Sequence, residues 1–321
     1  MLSKQANRGG HCRVIALALV GSLSVALVMI CSFYKVIAQS AVSVTGKHFE
    51  RVLIVVLENQ NYASAMKNEY LNALSKEGAA FTNFQGLYHP SYPNYLAMIA
   101  GSSFGVHSDT QRLFADDNQH RTIGDLLDWK NYAEDYPSSP TDTEPFLGDH
   151  DGKYARKHVP FLSFKKIQMR SFNNVVAVDT RNPRNAFITD VDMFRDDPKV
   201  HPLPRYMLYS PNLDDDGHDP VLNLRKGLEK ASTWLRNFFT IWFPLDEKVR
   251  GTLVVVTFDE SEGHNNDNRI YTVILGSMVK PGEVSTNYDH FSVLRTIEDN
   301  FGLPQLNSGD EHAQPITGIW K

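Results

Sequence analysis

Arg51-Val-Leu-Ile-Val-Val-Leu57 opens on one cation and is otherwise apolar and rich in branched residues, and it runs directly into two oxygen-bearing side chains, Glu58 and Asn59. Hydrophobicity that is continuous rather than alternating is the pattern of a strand buried on both faces of a sheet. Thr252-Leu-Val-Val-Val-Thr257 repeats the pattern and leads through Phe258 into Asp259 and Glu260. Asn174-Val-Val-Ala-Val178, Tyr206-Met-Leu-Tyr209 and Tyr271-Thr-Val-Ile-Leu275 are similar runs. Helix-like segments fall between them at roughly 66–77, 93–100, 121–128, 223–240 and 290–300. Strand and helix in alternation, with short connections, predict an α/β protein: a three-layer α/β/α sandwich around a mostly parallel central sheet. The least regular part, 104–170, is expected to be an elaborated loop that shapes one wall of a site.

Ligands of such sheets sit outside the carboxyl ends of the strands, where Glu58-Asn59 and Asp259-Glu260 fall. Neighbouring side chains on an extended strand point to opposite faces, so both members of a pair reach one ligand only where the strand ends and turns. Three carboxylates gathered in a partly dry cleft call for a cation, and hard oxygen ligands suit Ca²⁺, Mg²⁺ or Mn²⁺. In His89-Pro-Ser-Tyr-Pro-Asn-Tyr95, Pro93 is expected near the start of a helix running to about Ala100. Ser91 would then stand at the helix entrance, where free backbone donors and the helix dipole attract a phosphate.

The chain has 321 residues, of which 42% are hydrophobic and 21% charged, as in ordinary globular proteins. A net charge of -5 leaves no footprint for a nucleic-acid backbone, and no nucleic-acid partner is expected. Residues 14–33 carry no charge and follow Lys4, Arg8 and Arg13, so residues 1–40 are read as a signal peptide or signal anchor and 41–321 as the catalytic domain. The uncharged run is about as long as a bilayer span, ~20 residues, while Val36-Ile37-Ala38 has the small-residue spacing of a cleavage site. Both a retained anchor and a cleaved signal fit, and either delivers the rest outside the cytosol. The two cysteines, Cys12 and Cys31, lie in this leader, so no disulfide is expected in the domain that follows.

The blocks LENQNY, HPSYPNYL, KHVPFLSF, SPNLDDDGHD, TFDESEG, NNDNRIYTVILG and YDHFSVLRTIEDNFGL occur in this order from about Arg51 to Leu303. Together they resemble the phosphoesterase family of acid phosphatases and phosphocholine-preferring phospholipases C, within the alkaline-phosphatase-like superfamily. The resemblance implies metal-dependent hydrolysis of phosphate monoesters through a phosphoserine on Ser91, with a phosphodiesterase of the phospholipase C type, acting on phospholipid, as the alternative. It implies Glu58, Asn59, Asp259 and Glu260 as ligands of one divalent ion shared with Ser91, of Ca, Mg, Mn or Zn identity. A second metal would have to draw on His218, Asp219 and His290. Asn94, one helical turn beyond Ser91, matches a position whose amide donates to a phosphoryl oxygen, and Asn59 and Lys157 are further candidates for holding substrate. His158, His218 and His290 are candidates for holding the phosphoryl group or protonating the leaving oxygen, since histidine titrates in the useful range.

Two other motifs compete. Gly101-Ser-Ser-Phe-Gly105 matches the nucleophile elbow of serine esterases, but a helical segment precedes it where the elbow needs a strand. Asn212-Leu-Asp-Asp-Asp-Gly217 resembles the opening of a calcium loop, but Asn223 stands where that loop needs a bidentate glutamate. It is expected instead to be a turn that carries His218.

Overall fold

The computed structural model describes residues 45–137, 143–178, 180, 203–218, 227–243, 251–263 and 267–321. Residues 1–40, Asp219 and the first residues of the expected 223–240 helix lie outside them. Nine strands among the described residues make one sheet: β1 (Arg51–Leu57), β2 (Ala79–Gln85), β3 (Trp129–Glu134), β4 (Val175–Val178), β5 (Tyr206–Ser210), β6 (Thr252–Phe258), β7 (Arg269–Leu275), β8 (Gly282–Val284) and β9 (Tyr288–Asp289). Their order is β4-β3-β5-β1-β6-β7-β2-β8, with β9 also pairing to β2. All pairings are parallel except those that β7 makes with β6 and β2. The continuous apolar runs are the central strands: every residue of β1 and β6 is buried.

Helices are α1 (Tyr62–Ala65), α2 (Glu69–Ser75), α3 (Ser91–Ala100), α4 (Lys165–Arg170), α5 (Gly227–Asn237), α6 (His290–Phe301) and α7 (Ser308–His312). They cover both faces of the sheet. On β5, the Tyr206 hydroxyl donates to the Met98 carbonyl of α3 (3.3 Å), whereas Tyr209, three residues on, packs against Trp234 of α5 on the other side. Tyr271 of β7 reaches the Leu71 carbonyl of α2 (2.9 Å). The layers are therefore α3 with α6, the sheet, and α2 with α5, which is the sandwich expected. Among the described residues no helix is long and apolar enough to cross a membrane.

The differences from expectation have local causes. β3 lies inside the segment read as loop; its sequence, Trp-Lys-Asn-Tyr-Ala-Glu, is too polar to announce a buried strand. It is buried because it sits between β4 and β5, with the Asn131 amide satisfied by the Leu208 carbonyl (3.3 Å) and Ser210 Oγ (3.4 Å). The helix expected at 121–128 is a single 3₁₀ turn, Ile123–Asp125, closed by reciprocal Thr122 and Asp125 contacts. Trp129 packs so closely on Gly124 that a Cβ there would lie 2.4 Å from its indole nitrogen.

Helix α3 is buried at all ten positions, so it is clamped along its length rather than laid on a surface. It ends at Gly101 with φ +65°, as α6 ends at Gly302 with φ +63°. A Cβ at Gly101 would fall 1.7 Å from Asp310 Oδ1, whereas one at Gly302 would meet nothing. Gly302→Ala is therefore expected to cost about 1 kcal/mol, the left-handed penalty alone. Gly101→Ala should cost about 1–3 kcal/mol more through overpacking, and urea denaturation of the two variants reads the difference.

Candidate active site

The site grows out of one register. β1 and β6 pair in parallel from Arg51↔Thr252 to Leu57↔Phe258, so Glu58-Asn59 and Asp259-Glu260 leave the sheet side by side. The Asp259 amide donates to the Leu57 carbonyl (2.9 Å), one step past the strand. Asn59, at φ +21°, has already turned out of the extended range. Its amide donates to Asp259 Oδ1 (3.2 Å) and its side chain to Glu260 Oε1 (3.1 Å). The turning strand end thus brings neighbours together, as the sequence required.

Ser91 is the first residue of α3 and is 1% exposed. Its Oγ lies 2.9 Å from Glu58 Oε2, 3.1 Å from Glu260 Oε1 and 3.3 Å from Asn59 Oδ1. One hydroxyl carries one proton, so three acceptors share a single donor. Burial alone would raise the Glu58 carboxyl, but the charge and hydrogen bond of His158, helped by Lys157 and Tyr95, hold it down to about 2. Burial and then the charge of Glu58 push Glu260 up to about 7, and burial with both neighbours pushes Asp259 well above the carboxylate range. Among the described residues no three His, Cys, Asp or Glu side chains stand at metal-ligand spacing about one point. The carboxylates spread their contacts instead over Ser91, His89, His158 and Tyr95.

The three histidines sit in different surroundings. His158 is 3% exposed, with Nε2 3.0 Å from Glu58 Oε1. His218 is open to solvent, its ring 44% exposed and its Nδ1 3.7 Å from Glu58 Oε2. Its turn is shaped by Asn212 Oδ1, which accepts the amides of Asp214 and Asp215 (both 3.0 Å), and is tied down where Gln60 Nε2 donates to the Gly217 carbonyl (2.9 Å). His290 lies in a third setting. It is buried, its Nε2 lies 2.7 Å from the backbone carbonyl of Asp259, and burial lowers its pKa to about 4. A neutral ring that donates to a carbonyl cannot also protonate a leaving group near neutrality.

Asn94 is engaged with the backbone on all sides. Its Oδ1 accepts the amides of Leu87 and Tyr88 (both 3.0 Å), and its Nδ2 donates to the carbonyls of Tyr88 (2.9 Å) and Pro90 (3.4 Å). Fully buried, it pins the loop that delivers Ser91 and has no amide proton to offer a phosphoryl oxygen. Lys157 lies on the irregular wall and pairs with Asp109 (2.9 Å), whose other oxygen accepts the Tyr92 amide at the start of α3 (3.1 Å). Gly101–Gly105 follows α3 and no strand, so the elbow context is absent there.

Four residues carry contacts that the sequence reading left unassigned. His89 pairs with Glu260, and Tyr95 donates to Glu58 Oε1 (2.7 Å). Asp109 holds Lys157, and Asn268 accepts the Ser261 amide (2.8 Å) while donating to the Tyr88 carbonyl (3.3 Å). Asn268 explains Gly86, since a Cβ there would lie 2.9 Å from both the Asn268 amide and the Asp259 carbonyl. His89, Tyr95 and Asn268 all fall inside conspicuous sequence blocks, which was the available signal; Asp109 does not.

The buried His290 has a stability consequence. Its ring protonates near 6.5 when unfolded but only near 4 when folded, so its contribution is complete above 6.5 and is lost as pH falls from there toward 4. The loss is on the order of 3 kcal/mol. His290→Gln keeps a donor for the Asp259 carbonyl but does not titrate, so its stability should fall less steeply over that window. Chemical denaturation at several pH values, with chelator in every sample, measures the two slopes.

Comparison with known proteins agrees with the geometry. The sequence profile described as the Phosphoesterase family matches residues 58–304. A probable acid phosphatase of Kluyveromyces lactis is 33% identical over 292 residues, 87% of this chain, and the chain spans 65% of that protein's length. A phosphatidylinositol-3-phosphatase of Mycobacterium tuberculosis is 30% identical over 95% of this chain and 94% of its own length. Among solved structures, an alkaline phosphatase superfamily protein from Vibrio parahaemolyticus superposes with a TM-score of 0.54 over 85% of this chain and 72% of its own, at 12% identity, which speaks for the fold alone. With the profile covering more than half of its residues, the chain belongs to the phosphoesterase family.

Proposed function

We propose that this protein hydrolyses phosphate monoesters, with Ser91 as nucleophile and Glu58, Asn59, Asp259 and Glu260 as the ligands of one divalent cation. The observation that carries the reading is the imbalance at Ser91 Oγ, a single proton among acceptors of the buried Glu58 and Glu260 and the half-buried Asn59. The donor set is all oxygen, the chemistry of Mg²⁺, Mn²⁺ or Ca²⁺ rather than zinc, and its carboxylates would have to close on the ion from the wider spacing they hold here. A bound cation would lower the serine pKa and offset charge on the transferred phosphoryl group.

The chain's own residues divide the rest. Ser91 Oγ attacks phosphorus in line and gives up its proton along one of its existing carboxylate contacts; the ester P–O bond breaks as the O–P bond to Ser91 forms. His218, the exposed histidine at the site, protonates the departing oxygen and, then neutral, accepts a proton from the water that cleaves the phosphoserine. Phosphate leaves and the Ser91 hydroxyl returns. Lys157, held by Asp109 and close enough to feel the charges of Glu58 and Asp259, adds positive charge on the wall side. His158 fixes Glu58 rather than touching substrate.

The names of the relatives, acid phosphatases and a phosphatidylinositol-3-phosphatase, support monoesters over the diester alternative, and the last supports a phosphate carried on a lipid headgroup.

Ser91→Ala should abolish hydrolysis of an aryl phosphate while leaving the fold intact, and Ser103→Ala should retain activity. Acid-quenched parent should yield a phosphopeptide containing Ser91, and chelation should stop turnover until a divalent ion is returned. Activity in Ser91→Ala, or chelator-resistant turnover, would contradict the assignment. His218→Gln should lower kcat more for a poor leaving group such as an alkyl phosphate than for an activated aryl phosphate, because the proposed proton donor is gone; parental rates on both would give the proton another source.

A further inference from the structure

The two oxygens of Glu58 face different partners. Oε2 lies 2.9 Å from Ser91 Oγ. Oε1 accepts the Tyr95 hydroxyl at 2.7 Å and lies 3.0 Å from His158 Nε2. Tyr95 stands one turn beyond Ser91 on α3, so the helix that presents the nucleophile also presents a donor to the far side of the same carboxylate. The Tyr95 ring is 1% exposed and stacks on His158, with centroids 4.9 Å apart and planes 15° from parallel. His158 is anchored in turn, its carbonyl accepting Ser210 Oγ at 2.7 Å.

A glutamate carboxylate turns easily about its last torsion, where the rotamer wells are broad. The Tyr95 hydrogen bond restrains that torsion from one side and the buried His158 ring, 3.0 Å from the same oxygen, restrains it from the other, and the two rings stack on each other. We infer that Tyr95, acting with His158, is a positioning residue that locks Glu58 Oε1 and thereby aims Oε2 at Ser91 and the cation. This rests on the reading of Glu58 as a cation ligand. Tyr95 touches neither substrate nor cation; it acts through Glu58. Partners that orient metal ligands from behind typically change metal affinity by about 10–100-fold when removed.

Tyr95→Phe deletes one oxygen and keeps the stacked ring. Tyr206→Phe is its control, because it deletes a buried hydroxyl that also bonds to α3, at the Met98 carbonyl, away from Glu58. Metal-stripped full-length parent and both variants are titrated calorimetrically with manganese(II) chloride. The expected result is a dissociation constant about 10–100-fold weaker in Tyr95→Phe, with Tyr206→Phe matching the parent. A parental constant in Tyr95→Phe would overturn the inference, and so would equal weakening in both variants, which would mean general loosening of α3. Absence of binding by the parent itself would strike the cation reading, and the inference with it, and is separable because it shows before either variant is compared.

Discussion

Leu57 and Phe258 are partners in a parallel pairing that has no irregularity over seven residues, and the position of every acidic oxygen in the site follows from it. Parallel strands in register end at the same height, so two unrelated stretches of chain, some two hundred residues apart, deliver their polar pairs to one spot. Because β1 and β6 are buried on both faces, the register is selected by apolar packing. A one-residue slip would invert every side chain against its layer. The site's chemistry is thus positioned by residues that take no part in it.

That placement sets carboxylates close together out of water, which is unfavourable unless their charge is met. Glu58 is met from behind, by His158, Tyr95 and the nearby Lys157, and is held strongly ionised. Asp259 and Glu260 are not matched to the same degree, and the charge of Glu58 bears on both, so their carboxyls rise. The cluster is therefore asymmetric before any ligand arrives, with one fixed anion beside two groups whose charge depends on what joins them. Such a set takes up positive charge readily, and the Ser91 oxygen lies among its atoms.

Much of this was legible in the sequence because the strongest signals were physical necessities. Continuous branched runs mark central strands, and oxygen pairs at their ends mark the ligand side of an α/β sheet. Strand β3 was hidden because its burial comes from neighbours on both sides rather than from its own composition, and Asn131 and Glu134 gave it the look of a loop. The short turn at Ile123–Asp125 was mistaken for a helix because periodicity does not register how tightly Trp129 packs on Gly124. Within the site, residue types and their neighbourhood were readable, but the direction of each side chain was not. Asn94 was in the expected place with its amide already engaged, and nothing in the sequence shows that the Tyr95 hydroxyl reaches Glu58.

The histidines show why direction decides function. His158, His218 and His290 share one ring chemistry and all lie around the same carboxylates, yet burial and partners separate them. A ring sealed against a backbone carbonyl, as His290 is, is kept neutral by the cost of charging it in a dry place. His158 lies instead against Glu58, with Nε2 3.0 Å from Oε1, and its charge helps to hold that carboxyl low. A proton donor for a departing oxygen needs neither situation. It must exchange protons with solvent between turnovers, which requires an exposed edge, and it must stand within reach of the phosphoryl site. Of the three, His218 is the ring with an exposed edge, 3.7 Å from Glu58, and it is carried on a turn braced by Asn212 and Gln60 rather than on the sheet or a buried helix, which is why the proposed proton donor is placed there. In the proposed reaction the fixed parts are thus carried on strand ends and on α3, while the part that must meet water is carried on a turn.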